Sequence, residues 1–319
     1  MNILVTGAAG FIGSHLCRKL VADGNNVLGV DNFKLGKFDN LTELLPDPKF
    51  KLIECNILDK DFKEKIKNEN LAFDEIWHFA ASSDIESGSD NYILDLEDTF
   101  ITTTKICELA EELKINKLYF SSSGAVYGNH VEHVKETFNC EPISFYGTFK
   151  LASEHFLRSN SERFLKKVVI YRFANIIGSN STHGVIFDFV HKLNKNKKIL
   201  EVLGNGNQQK PYLHISELIN AMFFINSATK EGFHTYNIGP NDEGVKVQTI
   251  AEMVVDKMKT NSEIKYGKDN KGWVGDIPKI RFNNHKLKLL GWSPKLSSQQ
   301  AVEIAVSEII SEIGSPLID

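Results

Sequence analysis

The sequence predicts an α/β fold built on a doubly wound parallel β-sheet, and two observations support this prediction. Over the first half of the chain, short apolar runs rich in β-branched and aromatic residues alternate with segments long enough for helices. This alternation is typical of parallel strands joined by crossover helices. The runs contain few polar interruptions, as expected for strands that are covered on both faces.

Six strands are predicted within the first 173 residues. They are Ile3–Val5, Asn26–Val30, Phe50–Ile53, Glu75–Phe79, Lys117–Phe120 and Lys167–Phe173. Two long helical patterns cover Asp90–Leu113 and Tyr146–Phe164, and beyond residue 175 the alternation weakens into shorter elements. Because 319 residues exceed what one hydrophobic core usually organises, we predict a first domain over residues 1–174. A smaller C-terminal α/β domain is predicted over residues 175–319, and this division allows segments to cross back.

Composition and charge exclude several classes of protein. Hydrophobic residues make up 42% of the chain and charged residues 24%, and no apolar stretch approaches the roughly 20 residues of a membrane-spanning helix. The net charge of −4 provides no basic surface for nucleic acid. Because the first residues form a strand without a basic leader, we expect a soluble, cytoplasmic protein with neither membrane nor nucleic-acid partners. The four cysteines lack Cys-x-x-Cys spacing, which predicts free thiols and no metal site.

A glycine-rich turn follows the first strand. Three glycines, at positions 7, 10 and 13, precede a helical pattern, the context in which backbone N–H groups and a helix N-terminus meet a pyrophosphate. Asp31 ends the second strand 18 residues after the last of them, where a carboxylate accepts a hydrogen bond from a ribose 2′-hydroxyl and repels a 2′-phosphate. This predicts NAD rather than NADP, although Lys34 and Lys37 lie close by. The alternative is a turn whose glycines are only structural.

A second motif, Tyr146-Gly-Thr-Phe-Lys150, suggests acid–base chemistry. A tyrosine and a lysine four residues apart lie on one face of a helix, so the ammonium group would favour the ionised form of the phenol. A free tyrosine has a pKa of about 10, so a tyrosine that takes up a proton near neutral pH needs such a neighbour. Most pairs with this spacing are surface helix contacts, and the motif alone leaves that alternative open.

Nine short motifs follow one another along the chain. Six lie in its first part: Thr6-Gly-x-x-Gly-Phe-Ile-Gly13, Asp31-Asn32, His78-Phe-Ala-Ala81, Ser121-Ser-Ser-x-x-Val-Tyr-Gly128, Tyr146-x-x-x-Lys150 and Arg172-Phe-Ala-Asn175. Three follow: Leu203-Gly-Asn-Gly-Asn-Gln-Gln-Lys210, Tyr236-Asn-Ile-Gly239 and Leu290-Gly-Trp-Ser-Pro294. Together they resemble the extended short-chain dehydrogenase/reductase family, and within it the nucleotide-sugar epimerase/dehydratase branch. The resemblance implies a Rossmann-type NAD-binding domain, a nucleotide sugar held between the two domains, and hydride exchange at a sugar carbon, usually C4.

The resemblance also assigns roles to individual residues. Tyr146 would take the proton of the sugar hydroxyl, Lys150 would hold the nicotinamide ribose and lower the tyrosine pKa, and Ser123 would hydrogen-bond the same hydroxyl. The implied cofactor-binding residues are Gly7, Gly10, Phe11, Ile12, Gly13, Asp31, Asn32, Asn56, Ile57, Phe79, Ala80, Ala81, Ser121, Tyr146 and Lys150. The substrate-binding residues assigned with them are Ser83, Ser123, Asn175, Lys210, Lys271 and Arg281. For Ser123 and Asn175 a purely structural role is the alternative.

Several positions depart from the family pattern. Gly124-Ala125 follow the catalytic serine where dehydratases of the branch carry an Asp-Glu pair. Neither residue can move a proton, which favours epimerisation or simple oxidation over dehydration. Asn56 occupies the position at which family members often carry an aspartate that contacts the adenine base. Ser179-Asn180 replace a Pro-Arg pair, and Trp273 replaces an arginine that binds the pyrophosphate. The negative charge of the phosphates would then be balanced by Lys210, Lys271 or Arg281.

The expected function is that of an NAD-dependent nucleotide-sugar 4-epimerase acting on a UDP-hexose. Such an enzyme oxidises C4 to a transient 4-keto sugar and returns the hydride to the opposite face. One alternative is a nucleotide-sugar 4-dehydrogenase, reductase or dehydratase of the same branch. Another is a regulator that senses the dinucleotide without catalysis, for which a broken Ser/Tyr/Lys set would be the sign.

The two long helical patterns predict assembly. Asp90–Leu113 and Tyr146–Phe164 carry apolar residues on more than one side, whereas one apolar stripe suffices to dock a helix on its own sheet. Family members resembling this chain pack these two helices against their copies in a four-helix bundle. We therefore expect a homodimer, and the alternative is that the C-terminal domain covers the second apolar side.

Overall fold

The structure, a computed structural model, describes residues 1–83, 88, 91–130, 132–269, 277 and 279–314. Its strands are β1 (Asn2–Thr6), β2 (Asn26–Asp31), β3 (Phe50–Glu54), β4 (Glu75–His78), β5 (Lys117–Ser123), β6 (His133–Val134), β7 (Lys167–Phe173), β8 (Asn175–Ile177), β9 (Ile199–Val202), β10 (Gln209–Lys210), β11 (Tyr212–His214), β12 (Gly232–Ile238), β13 (Val245–Lys246), β14 (Glu263–Tyr266) and β15 (Arg281–Phe282).

The helices are also numbered in chain order. They are α1 (Phe11–Ala22), α2 (Phe62–Lys67), α3 (the consecutive segments Tyr92–Asp95, Leu96–Ile101 and Thr102–Glu112), α4 (Phe145–Ser161), α5 (Val185–Lys195), α6 (Ile215–Ala228), α7 (Val247–Met258), α8 (His285–Leu290) and α9 (Ser298–Ile313). Short 3₁₀ turns cover Phe38–Leu41 and Gly124–Tyr127. Within the described ranges, no helix has the length and apolar character needed to cross a membrane.

The chain forms two compact units. Unit 1 comprises residues 1–126, 142–172 and 222–236, and unit 2 comprises residues 127–141, 173–221 and 237–319. Relative to a division after residue 174, unit 1 also includes residues 222–236, and unit 2 also includes residues 127–141 and 173–174. The predicted division allows segments to cross back, and it stays a prediction.

Unit 1 is built on a seven-stranded sheet with the strand order β12-β7-β5-β4-β1-β2-β3. The ladders that join β1 to β2, β2 to β3, β1 to β4 and β4 to β5 are all parallel. Side chains of these strands, including Leu4, Leu28, Ile76, Leu118 and Ile170, are fully buried in one hydrophobic core. The predicted doubly wound parallel α/β fold is confirmed.

The six predicted strands are all present. Five of them match the observed bounds to within one residue, and β5 extends three residues past its predicted end to Ser123. The seventh strand, β12, is not among the predicted strands, and it forms one edge of the large sheet. Its first half is exposed or half-buried, as an edge strand allows, and this weak apolar pattern is why the sequence alone does not predict it.

The helix α3 contains a widened turn. Its segment Leu96–Ile101 is π-helical, between two segments of ordinary α-helix. The hydroxyl groups of Thr102 and Thr103 donate to the carbonyls of Asp98 and Thr99, at 2.7 and 2.6 Å. These bonds satisfy carbonyl groups beside the widened turn. π-Helical turns inside α-helices are rare and often lie at functional sites.

The helix α4 begins one residue before its predicted start. Ser144 is the N-cap, and its Oγ accepts a hydrogen bond from the N–H of Gly147 at 3.1 Å. Serine is favoured at this position because it satisfies a backbone donor that the helix leaves unpaired. The cap places Tyr146 and Lys150 in the first two turns of the helix.

The described residues of unit 2 form short two-stranded ladders. Three ladders are parallel, β6 with β15, β8 with β11 and β9 with β14, and β10 pairs with β13 in antiparallel fashion. The helices α5, α7 and α9 share a second apolar core that includes Val190, Val254 and Val306. A capping box formed by Ser297 and Gln300 starts α9 and stabilises its first turn.

Candidate active site

The glycine-rich turn after β1 requires glycine for steric reasons. Gly7 has φ of +71°, and a Cβ atom there would lie 2.7 Å from the backbone nitrogen of Ala80. A Cβ atom on Gly13 would lie 1.9 Å from the carbonyl oxygen of Gly7. Gly10 is the N-cap of α1 and has no side chain over the helix N-terminus. The turn therefore fits a dinucleotide, whose pyrophosphate needs close backbone approach and uncovered N–H groups.

Asp31 supports this turn from the end of β2. Its side chain is buried, with one carboxylate oxygen accepting from the N–H of Ala9 at 2.9 Å and the other from the N–H of Phe33 at 2.8 Å. Burial raises the pKa of this carboxyl group, and the backbone hydrogen bonds oppose that rise. Each carboxylate oxygen can accept a further hydrogen bond. The predicted contact of Asp31 with a ribose stays a prediction.

A buried hydrogen-bond chain joins the turn to the end of β4. Thr6 Oγ1 accepts from the N–H groups of Phe79 and Ala80, at 3.2 Å each, and lies 2.7 Å from Nδ1 of His78. The other ring nitrogen, Nε2, lies 3.2 Å from Oγ1 of Thr103 on α3. Burial and the charge of Lys150 lower the pKa of His78 to about 3, so the ring is neutral.

The direction of each hydrogen bond in this hydrogen-bond chain follows from its last member, Thr103. The Thr103 hydroxyl donates to a helix carbonyl, so it accepts from Nε2–H of His78, and Nδ1 of His78 then accepts from the hydroxyl of Thr6. With both ring nitrogens used, His78 fixes the backbone of Phe79 and Ala80 against the glycine-rich turn. The sequence included His78 in a motif but assigned it no role.

Lys150 lies below the ring of Tyr146. Its Nζ is 5.7 Å from the centroid of the tyrosine ring and 5.0 Å from that of Phe120. The ammonium group donates to the carbonyl oxygen of Ser121 at 2.6 Å. Phe120 in turn contacts His78, with ring centroids 5.7 Å apart. Continuous contacts thus connect the Tyr-Lys pair with the glycine-rich turn.

Burial dominates the titration of the Tyr-Lys pair. It lowers the pKa of Lys150 to about 7, against the opposing charges of Asp95 and Glu154. It raises the pKa of Tyr146 to about 12, although a hydrogen bond with Ser123 lowers it. The sequence predicts that Lys150 lowers the pKa of Tyr146, but within the protein itself burial has the larger effect and raises this pKa.

Ser123 lies at the end of β5, next to the start of α4. Its Oγ accepts from the N–H of Ala125 at 3.1 Å, and it hydrogen-bonds Tyr146. A Cβ atom on Gly147 would lie 2.6 Å from the carbonyl oxygen of Ala125. Glycine at position 147 therefore allows α4 to approach the segment that follows Ser123. This close approach brings the three predicted catalytic residues together.

A buried ion pair anchors α4 beneath Lys150. Nη2 and Nε of Arg172 on β7 lie 2.6 and 3.0 Å from the two carboxylate oxygens of Glu154. Ser122 on β5 donates to the same carboxylate. Both charged side chains are less than a tenth exposed. Sequence reasoning did not select Glu154, although its spacing of four residues from Lys150 is a usable signal.

The predicted adenine contact lies in a local turn. The amide oxygen of Asn56 accepts from the N–H of Leu58 at 3.0 Å, and Ile57 is buried. The neighbouring Cys55, Asp59 and Asp61 have ligand atoms within 4.8 Å of one another. Lys65 contacts two of these three groups, Cys55 Sγ at 3.6 Å and Asp61 at 3.0 Å, so the cluster already has a cation partner.

All four cysteines are free, as predicted, and three of them are buried. Ser83 is half-buried after β4. Phe11 and Ile12 form the first turn of α1, and Ala81 is half-buried beyond Ala80. The side chain of Asn32 accepts from the N–H of Lys34 at 3.0 Å. The roles predicted for these residues remain predictions.

The candidate substrate residues of unit 2 lie on its short strands. Asn175 Nδ2 donates to the carbonyl oxygen of Pro211 at 3.2 Å. Lys210 is half-buried at the end of β10. Arg281 Nε lies 2.7 Å from the carboxylate of Glu243. Lys271 lies outside the described residues, as does Trp273.

Comparison with known proteins gives the same family. A sequence model of the NAD dependent epimerase/dehydratase family matches residues 3–239. A putative UDP-glucose 4-epimerase of Methanocaldococcus jannaschii is 28% identical over 312 residues, which cover 96% of this chain and 97% of that protein. Human dTDP-D-glucose 4,6-dehydratase is 29% identical over 317 residues, which cover 95% of this chain and 88% of that protein. Identity alone thus does not separate epimerases from dehydratases.

Two solved structures have a similar fold. UDP-galactose 4-epimerase has a TM-score of 0.87 and 31% identity, with 98% of this chain and 100% of that chain covered. UDP-glucuronic acid 4-epimerase from Bacillus cereus, in complex with UDP-glucuronic acid and NAD, has a TM-score of 0.86 and 26% identity, with 98% and 100% covered. With the glycine-rich turn and Asp31, these similarities identify NAD as the cofactor.

Proposed function

We propose that this chain, which belongs to the NAD-dependent epimerase/dehydratase family, is a nucleotide-sugar 4-epimerase whose substrate is a UDP-hexose. The observation that carries the proposal is the site around Ser123, Tyr146 and Lys150, in which Gly124 and Ala125 supply no further acid or base. Such a site moves one proton at one hydroxyl group, which is what oxidation and reduction at a single sugar carbon require.

Tyr146 is the proposed base and acid of the reaction. Its phenolate takes the proton of the C4 hydroxyl when the sugar is oxidised and returns it when the 4-keto sugar is reduced. Ser123, which hydrogen-bonds Tyr146, orients the same hydroxyl group. Bound NAD supplies the acceptor and donor of the C4 hydride, and its oxidised ring supplies a positive charge that favours the phenolate.

Lys150 has two proposed tasks. Its ammonium group, held by the carbonyl of Ser121, contacts the nicotinamide ribose and adds positive charge near the phenol. Because burial lowers its pKa to about 7, the charge of this group depends on the carboxylates of Asp95 and Glu154, which oppose that shift. The charge state of the Tyr146-Lys150 pair therefore depends on the groups packed around it.

Dehydration needs more acid–base groups than this site offers. Removal of water from the sugar requires a base for a carbon-bound proton and an acid for the departing hydroxyl. Gly124 and Ala125 occupy the positions at which dehydratases of the branch carry such groups. Simple oxidation by a 4-dehydrogenase uses the same three residues, so it is the second candidate. A regulator without catalytic activity is disfavoured because the Ser/Tyr/Lys set is intact.

The proposed contacts to the nucleotide sugar are Ser83, Asn175, Lys210, Lys271 and Arg281. Lysine is a point charge and selects phosphate geometry less strictly than arginine.

The experiment is incubation of the purified protein with UDP-glucose, UDP-galactose, UDP-glucuronic acid and dTDP-glucose, with products followed by NMR. Conversion to the C4 epimer without accumulation of reduced cofactor supports the proposal. Stoichiometric formation of NADH would identify a dehydrogenase, and a 4-keto-6-deoxy product would identify a dehydratase. Either result would overturn the assignment, and Tyr146→Phe is the matched inactive control.

We also propose that the protein is a homodimer formed through α3 and α4. Tyr92 and Phe145 lie at the starts of these helices with ring centroids 5.5 Å apart, and they are 50% and 45% exposed. Large exposed apolar patches mark contact surfaces, and the proposal takes this aromatic pair as part of such a patch. In contrast, Phe100 and Phe156 are half-buried against each other, with centroids 6.0 Å apart. Light scattering that gives a monomer mass at micromolar concentration would contradict the dimer.

A further inference from the structure

The loop after β2 poses a question that Asp31 alone does not answer. A lysine follows Asp31 by three residues, and a cation near the ribose is the group that accommodates the 2′-phosphate of NADP. Lys34 is 48% exposed along its side chain, so it lies within reach of solvent and ligands. Its charge would weaken the preference for NAD if nothing balanced it.

Lys34 is held at two points. Its N–H donates to the side-chain oxygen of Asn32 at 3.0 Å, which fixes the backbone directly after β2. Its Nζ lies 2.6 Å from a carboxylate oxygen of Asp98 on α3. The Asp98 side chain is only 19% exposed, so the carboxylate is the better-fixed member of the pair.

Asp98 is presented by the π-helical segment of α3. Its carbonyl oxygen accepts from the Thr102 hydroxyl at 2.7 Å. The following residue, Thr99, is fully buried, so the backbone beside Asp98 is fixed by packing. A carboxylate on a rigid helix holds the more flexible lysine, since lysine has four rotatable bonds and little conformational preference of its own.

We propose that Asp98 is a specificity-determining residue, which by pairing with Lys34 neutralises the cation that would otherwise attract the 2′-phosphate of NADP. The inference rests on NAD as the cofactor and on Asp31 as the ribose contact. Asp31 sets the preference for NAD by its own charge, and Asp98 preserves that preference by removing a competing attraction. The pair has no net charge, whereas a free Lys34 would add one positive charge beside the ribose.

The test is the ratio of the dissociation constants for NADP and NAD, measured by calorimetric titration of cofactor-free protein. We expect Asp98→Asn to strengthen NADP binding by about 2- to 5-fold, the size of a partly exposed charge interaction, and to leave NAD binding within a factor of two. High salt should reduce the gain because it screens exposed charges. Asp98→Ser provides a second variant with a shorter neutral side chain.

Two further variants identify the cause. Lys34→Gln in the Asp98→Asn background should abolish the gain, because the gain depends on the released cation. If the gain persists, Asp98 repels the phosphate directly and the inference is wrong. Glu112→Gln is the matched control, since Glu112 lies at the far end of α3 and pairs with Lys63 at 2.6 Å. It should leave the ratio unchanged.

The failure of this inference is distinguishable from failure of the cofactor assignment. A wild-type protein that binds NAD, together with an Asp98→Asn variant whose ratio is unchanged, would overturn the role of Asp98 alone. A wild-type protein that binds NADP as tightly as NAD would overturn the role of Asp31 as well. Thermal unfolding of each variant establishes that the compared proteins are folded.

Discussion

The candidate cofactor site of unit 1 and the candidate substrate residues of unit 2 are built differently. In unit 1, glycine backbone and a buried hydrogen-bond chain through Thr6 and His78 define the site. In unit 2, Arg281 lies on a strand of two residues and pairs with Glu243, which is 51% exposed. Buried backbone geometry tolerates few substitutions, whereas partly exposed side chains on short strands tolerate many. We therefore expect the strongest effects in unit 1.

The largest expected effect is that of Tyr146→Phe. Loss of the hydroxyl removes the group that exchanges the proton, and such groups contribute roughly 10²–10⁴-fold to turnover. Binding of NAD and of the nucleotide sugar should remain, because the ring is kept. Steady-state kinetics and calorimetry measure both quantities. More than a tenth of the wild-type kcat would contradict the role of Tyr146.

A large loss of stability is expected from Glu154→Gln. The change leaves Arg172 without the carboxylate that faces it in a buried site, and breaking such a pair costs roughly 3–5 kcal/mol. Urea unfolding measures the loss. The control is Glu111→Gln, whose partner Arg163 lies 2.8 Å away but is 61% exposed. Equal losses in the two variants would show that burial of the pair has no energetic consequence.

An intermediate effect is expected from Thr6→Val. Valine matches the shape of threonine but can neither accept from Phe79 and Ala80 nor donate to His78, and an unsatisfied buried group costs about 1–3 kcal/mol. The midpoint of thermal unfolding should fall, and NAD should bind more weakly because the turn loses its support. Thr6→Ser keeps the hydroxyl and should recover NAD affinity. If serine and valine give the same NAD affinity, the hydrogen-bond chain does not position the cofactor site.

The smallest expected effect is that of Glu243→Gln in unit 2. Lys279 and Arg281 approach the Glu243 carboxylate at 3.3 and 2.7 Å, so its removal frees positive charge for the phosphates of the substrate. We expect KM to fall by about 2- to 5-fold, with kcat unchanged, since partly exposed pairs contribute little. Glu263→Gln, which faces Lys265 at 3.7 Å, is the control. An unchanged KM would remove Arg281 from the proposed substrate contacts.

The sequence by itself predicted the sheet and located the Tyr146-x-x-x-Lys150 motif. Unbroken apolar runs predict buried parallel strands because such strands are covered on both faces. This local signal located six strands. The glycines before α1 and the four-residue spacing of Tyr146 and Lys150 are equally local, since they depend on backbone sterics and on helix geometry. The edge strand β12 was not predicted because its exposed half lacks the apolar pattern.

Only the tertiary structure decided which groups are buried and paired. His78 with Thr103, Glu154 with Arg172 and Lys34 with Asp98 are 25, 18 and 64 residues apart, and no local pattern specifies such contacts. The pKa values of Tyr146 and Lys150 likewise depend on contacts that no local sequence pattern specifies. Their spacing suggests a lowered tyrosine pKa, but burial raises it to about 12, because the cost of removing a charge from water depends on the surroundings that the fold assembles.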